Sequence, residues 1–268
     1  MTLIDRYPHI IEKSAIVVAH PDDEVLWLSS VLNHADKIIF CFNDYPEEPA
    51  LGIGRTKAIN DYPLTNTVTL NIEEAAVFNK ADWDTPNETS FGLEISRDKT
   101  AREKYEKNYS KIFQMLSSML IGFKNVFTHN PWGEYGHEDH VQIYRIIKEL
   151  QKKMGFDIWH SNYCSNHSMN LMMNHISGFS SNYISLPIDI ELAITISDIY
   201  KKYGCWTWYK DYKWFKDESL IKDSQSAAKT LPYGHVFPVN FIKIDFTNST
   251  NETSLRNVLH RIMPRSLK

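Results

Sequence analysis

The sequence predicts an α/β fold: a mostly parallel sheet with helices on both faces, followed by extra α+β elements towards the C-terminus. Two observations predict it. Short apolar runs alternate with stretches of helical periodicity over about the first 160 residues, which is the pattern of βαβ units. Two of those runs end in a turn carrying histidine and aspartate, and open α/β sheets bind ligands at the carboxyl ends of their strands. With 268 residues, one domain over 1–268 is expected, its core over 14–160 and a C-terminal elaboration over 161–268 that shapes a cleft.

Residues 1–14 read as a lead-in. The first β-α unit spans about 15–35. Ala15-Ile16-Val17-Val18-Ala19 forms its strand, and Val25, Leu26, Leu28, Val31 and Leu32 mark a helix. Between them lies His20-Pro21-Asp22-Asp23-Glu24. Pro21 keeps His20 out of the α region. Asp22, Asp23 and Glu24 fall in the first helical turn, where unpaired N–H groups and the macrodipole favour carboxylates. His20 and Asp23 are spaced to grip one cation, with Asp22 facing its water. The same residues also suit a plain capped helix start.

Lys37-Ile38-Ile39-Phe40-Cys41-Phe42 is the second strand, and a polar loop follows over 43–49. Gly52-Ile53-Gly54-Arg55 lacks the third glycine or Lys-Ser/Thr of a phosphate loop. A short helix is expected over 55–61. Thr67 to Ile72 is the third strand. The polar, Trp-bearing stretch 73–97 reads as a long loop, either a cleft wall or a surface insertion. Residues 98–121 form the longest helix, stopped by Gly122.

The fourth strand, Lys124 to Thr128, delivers His129, Asn130 and the second cluster, Gly133-Glu134-Tyr135-Gly136-His137-Glu138-Asp139-His140. His137 and His140 are three apart and share a face if the helix has begun there. Helix 139–153 and strand 156–161 follow. Ser185 to Asp189 reads as a turn into helix 189–203. Aromatic residues then crowd between Tyr203 and Phe215, suited to a core or to stacking on sugar faces. A helix over 213–228, a loop at 231–235, a strand over 241–246 and a last helix over 252–262 complete the reading.

Hydrophobic content of 43% and charged content of 23% describe a soluble globular chain. A net charge of −4 argues against nucleic acid as a partner. Cys41, Cys164 and Cys205 make no disulfide framework and suit a reducing, cytoplasmic setting. Their spacing is not of metal type, so a bound ion would need nitrogen and oxygen ligands. No secretory pattern opens the chain, and no apolar run reaches the ~20 residues of an integral membrane segment.

Taken together, the two His/Asp clusters resemble the LmbE-like or PIG-L family of zinc-dependent de-N-acetylases. Its first motif, A-H-P-D-D-E, is matched without change by residues 19–24, and its second, H-x-D-H, by His137-Glu138-Asp139-His140. The resemblance covers about 14–150, thins over 50–110 and is weak after 155, apart from Asp223-Ser224-Gln225. It implies a Rossmann-like sheet and one Zn²⁺ per chain held by His20, Asp23 and His140. It implies Asp22 as general base, and His137 and Tyr135 as aids to the oxyanion and the departing amine. Glu24 and Asp139 fit supporting positions. Arg55 lies near an arginine that contacts substrate in the family, although the family's glutamate three residues later is Ala58 here. The implied activity is hydrolytic removal of acetyl from a small molecule or glycan bearing an N-acetyl group, of N-acetylglucosamine type. Hydrolysis of another acyl amide or a phosphoester, and a non-catalytic Rossmann-like ion-binding module, are the alternatives.

Overall fold

The computed structural model describes residues 7–176, 183–223 and 237–244. In chain order the elements are α1 (Pro8–Ile11), β1 (Ser14–Val18), α2 (Asp23–Trp27), a 3-10 turn (Leu32–His34), β2 (Lys37–Asp44), α3 (Pro49–Asn60) and β3 (Thr67–Glu73). Then come β4 (Glu88–Thr89), β5 (Gly92–Leu93), α4 (Lys99–Met119), β6 (Asn125–Thr128), α5 (Glu138–Met154), β7 (Asp157–Ser161) and β8 (Tyr163–Ser165). The described elements close with α6 (Met169–His175), β9 (Tyr183–Pro187), α7 (Ile190–Lys202), β10 (Asp217–Lys222) and β11 (Asn240–Ile242).

The central sheet has seven strands in the order β3-β2-β1-β6-β7-β10-β9. The first five run parallel, and β10 is antiparallel to both β7 and β9. The strand order turns back between β1 and β6, and this switch point opens a crevice at their carboxyl ends. The expected mostly parallel α/β fold is therefore the observed one.

The continuous apolar run of β1 follows from burial on both faces. Ile16 and Val18 pack on one side with Val25, Leu51, Ala58, Ile196 and Tyr200, residues of α2, α3 and α7. Ala15 and Val17 pack on the other with Ile112 and Leu116 of α4 and Ile143, Ile146, Ile147 and Leu150 of α5. α5 begins at a histidine N-cap and ends on Gly155 in the left-handed region at φ 79°.

Five sequence expectations are corrected. The helix after β1 stops at Trp27 rather than running through Leu32. Ser29 Oγ turns back onto the Val25 carbonyl, and Ser30 gives its N–H and hydroxyl to Glu218 of β10, at 3.1 and 2.5 Å. The helix expected over 213–228 is instead strand β10, because Leu220 and Ile221 enter hydrophobic clusters on opposite faces, which a strand allows. The expected turn at 185–189 is mostly strand β9, paired with β10. The helix near Arg55 is longer than expected, starting at Pro49, a residue suited to the first helical position. The late strand is shorter, Asn240–Ile242, and pairs with β8 outside the central sheet. Ser224, Gln225, the 231–235 loop and the 252–262 helix lie outside the described residues.

Candidate metal centre

The His20-Pro21-Asp22 turn leaves β1 and α5 follows β6, so the two clusters meet at the switch point. Asp22 is the N-cap of α2 and sits at φ 104°, a left-handed backbone that a non-glycine residue adopts only under local constraint. The constraint is visible. The backbone N–H of His20 donates to Asp23 Oδ2 at 2.7 Å, and that of Asp22 to Glu24 Oε2 at 3.0 Å. Glu24 Oε1 accepts from the Tyr62 and Tyr200 hydroxyls, each at 2.8 Å. Glu24 thus ties the turn to the helical layer, and burial pushes its pKa up to about 8.

His20, Asp23 and His140 converge, with one donor atom from each within 4.8 Å of the others. Asp23 Oδ1 lies 3.2 Å from His140 Nε2 and accepts from Trp27 Nε1, also at 3.2 Å. His20 Nδ1 lies 3.1 Å from Asp23 Oδ2, and His20 Nε2 is 3.4 Å from Asp139 Oδ2 and 3.7 Å from Glu74 Oε2. Neither His20 Nε2 nor His140 Nε2 makes a well-formed hydrogen bond, and both oxygens of buried Asp139 share that condition. Five buried carboxylates (Asp22, Asp23, Glu74, Glu134 and Asp139) gather here, and the buried guanidinium of Arg55 pairs with one of them, Glu74. Such a cluster favours positive charge. Burial opposes a proton on His20, but Glu74 and Asp23 outweigh it and push the pKa up to about 10.

The two histidines of the second motif differ in tautomer. His140 Nδ1 sits 2.7 Å from Glu134 Oε2, so it carries the proton and leaves Nε2 with a lone pair. His137 Nδ1 instead accepts from the Asp139 backbone N–H at 3.1 Å, capping α5. A neutral His137 therefore carries its proton on Nε2. The first ring suits a cation and the second suits a hydrogen-bond donor. This also disfavours the overlapping donor set His20–His137–Asp139, although its atoms too lie within 4.8 Å of each other.

Asp22 Oδ2 accepts the backbone N–H and the hydroxyl of Thr207, at 3.0 and 2.6 Å. Burial and then Asp23 push the Asp22 pKa up to about 6, while the Thr207 contacts pull it down. Aromatic rings cover the cluster. Tyr135 is 4.7 Å from Trp208 and 5.3 Å from His140, centroid to centroid, and Phe78 stacks on His137 at 4.9 Å. Asp22, Asp23, His137 and His140 are each 4% exposed or less.

Arg55 is buried and ion-paired with Glu74, and its Nη1 lies 3.4 Å from the Asn43 carbonyl. Its carboxylate partner thus comes from the end of β3 rather than from position 58. The 73–97 stretch is folded onto the site. The Glu138 carboxylate accepts from Asn79 N, Ala81 N and Trp83 Nε1 at 3.2, 2.9 and 3.1 Å. The 203–215 aromatics all belong to the hydrophobic layer over α2 and α7, and Trp208 of that layer also reaches Tyr135 at the cluster.

Sequence reasoning gave no role to Glu74, Phe78, Glu134 or Thr207. Glu74 carried one signal, a carboxylate just past a strand end, and Glu134 another, its place between two motif glycines. Thr207 and Phe78 carried none, since long-range packing alone brings them in.

No family model matches the sequence, and no curated protein matches it. Solved structures do match at the level of the fold. One is a deacetylase of the teicoplanin biosynthesis pathway, at TM-score 0.53 and 11% identity over 80% of this chain and 100% of that one. A second is an A40926 pseudoaglycone deacetylase, at TM-score 0.51 and 12% identity over 81% of this chain and 98% of that one. A third is the zinc-inhibited form of a teicoplanin deacetylase, at TM-score 0.52 and 10% identity over 80% of this chain and 100% of that one. At such identities the likeness establishes a common fold.

Proposed function

We propose that the chain is a zinc-dependent hydrolase that removes the acetyl group from an N-acetylated amino sugar or glycoconjugate. The observation that carries this reading is the convergence of His20, Asp23 and His140, with Asp22 beside them, at the switch point of the sheet. The two motifs of the resemblance, and the fold shared with solved deacetylases, support the same chemistry.

The donor set suits zinc: two imidazole nitrogens and a carboxylate, with no thiolate needed. His20, Asp23 and His140 would hold the ion. When bound, zinc supplies Lewis acidity and a water whose pKa approaches neutrality. Asp22 takes the proton of the attacking water. Its Oδ2 is fixed by Thr207, which orients the carboxylate for that task. His137 presents Nε2–H to the carbonyl oxygen, where negative charge develops, and Tyr135 stands beside it. The proton held by Asp22 or His137 then goes to the departing amine. Phe78, Tyr135 and Trp208 exclude water and offer flat apolar faces to a sugar ring.

The test is a metal analysis of purified protein followed by acetate release from N-acetylglucosamine-type substrates. About one zinc per chain with acetate release supports the reading. Protein that takes up no divalent ion, or that holds one and releases no acetate from any N-acetylated sugar, ends it.

A further inference from the structure

His129 and Glu134 lie behind the cluster, and the reaction outlined above gives them no task. His129 is 1% exposed and Glu134 is fully buried. Glu134 Oε2 meets two imidazoles at once: His129 Nδ1 at 3.0 Å and His140 Nδ1 at 2.7 Å. Glu134 Oε1 accepts the backbone N–H of Asn130 at 2.8 Å. On its far side, His129 Nε2 accepts the backbone N–H of Ala19, the residue before His20, at 2.8 Å. The two rings stack at 3.9 Å between centroids. Gly133, at φ 68°, and Glu134, at φ 50°, make the turn that aims this carboxylate inward.

Each proton in this chain is dictated by its neighbour. The Ala19 N–H can only donate, so His129 Nε2 offers a lone pair and Nδ1 carries the proton. A carboxylate can only accept, so both Nδ1–H groups point at Glu134. Burial opposes a second proton on His129, while Glu134 and Asp23, whose Oδ2 stands 3.5 Å from His129 Nε2, favour one; the 2.8 Å Ala19 N–H contact requires the neutral ring. His140 is thereby left with a bare Nε2 facing Asp23.

We infer that Glu134 is a positioning residue: through the Ala19–His129–Glu134–His140 chain it sets the His140 tautomer and so readies the cluster for its cation. The inference rests on the cation-binding reading of the site. It also makes a specific demand on Glu134→Gln. With the amide oxygen kept on Asn130 N–H, the amide NH₂ faces both rings. His140 and His129 must then move their protons to Nε2. His140 loses its ligating lone pair, and His129 meets Ala19 donor to donor.

The experiment measures zinc affinity of wild type and Glu134→Gln by chelator competition, and histidine tautomers by two-bond ¹⁵N–¹H correlation spectra of both. The expected results are a 10–100-fold weaker zinc affinity and a switch of His140 from Nδ1–H to Nε2–H in the metal-free variant. Unchanged affinity with an unchanged tautomer would falsify the inference, and the cation-binding reading would survive. Wild-type protein that binds no divalent ion removes that reading instead. If Glu134→Gln does not fold, the wild-type spectra alone decide: an Nδ1–H His140 supports the assignment and an Nε2–H His140 overturns it.

Discussion

In the proposed reaction, Asp22 is the residue on which turnover depends most directly. Asp22→Ala should bind zinc as the wild type does, since the proposed ligands are untouched, and should lose about 10²–10⁴ in kcat, the usual worth of a positioned base. Unchanged turnover would remove Asp22 from that role. Thr207→Val refines the point. The Thr207 hydroxyl stabilises the ionised Asp22, so its removal raises the Asp22 pKa. A base works when deprotonated, so the acid limb of the kcat/KM profile should move to higher pH. An acid limb that stays where it was would deny the contact any catalytic weight. The His and Asp residues of both motifs were legible in the sequence because their spacing is local. Thr207 was not, because a loop 185 positions from Asp22 delivers it, and Glu74 gave only its place just past β3.

Among the elements, α5 does two jobs with adjacent residues. His137, Asp139 and His140 face the cluster, and Glu138 turns away to hold the segment after β3 by three hydrogen bonds. Glu138→Ala would leave those three donors unmatched, and the two on buried Ala81 and Trp83 would cost about 1–3 kcal/mol each. We expect a lower Tm and faster amide exchange at Asn79 and Ala81. Exchange at the wild-type rate would show that other contacts hold the segment. The parallel half of the sheet was readable because each strand there is a short apolar run followed by a helix. The wrong element types fell at β9 and β10, where strand pairing and burial on two faces overrode a local turn signal and local helical spacing.

Over the whole molecule, buried carboxylates govern the pH response. Burial pushes Glu218 up to about 8 from an ordinary 4.5, while Ser30 and Tyr163 hydrogen bonds pull it down. A carboxyl with a raised folded pKa keeps its proton longer in the fold than in the unfolded chain, so its contribution to stability declines as pH rises from about 4.5 to about 8. Glu138, pushed up to about 7 by burial, acts in the same direction. The Tm of the metal-free protein should therefore fall less steeply over this range in Glu218→Gln, and parallel slopes would exclude the effect. Chelation should also lower Tm, because an ion at 100 times its Kd adds about 2.7 kcal/mol to the folded state. A Tm indifferent to chelator would count against a bound ion.

The order of the strands carries one more consequence. His20 and Asp23 leave the ribosome more than a hundred residues before His140, and β1 and β6 become neighbours only when both have emerged. With the proposed ligand set, a nascent chain therefore carries two of its three ligands while more than a hundred further residues are added. Capture of the ion would mark the moment at which translation has supplied both halves of the sheet.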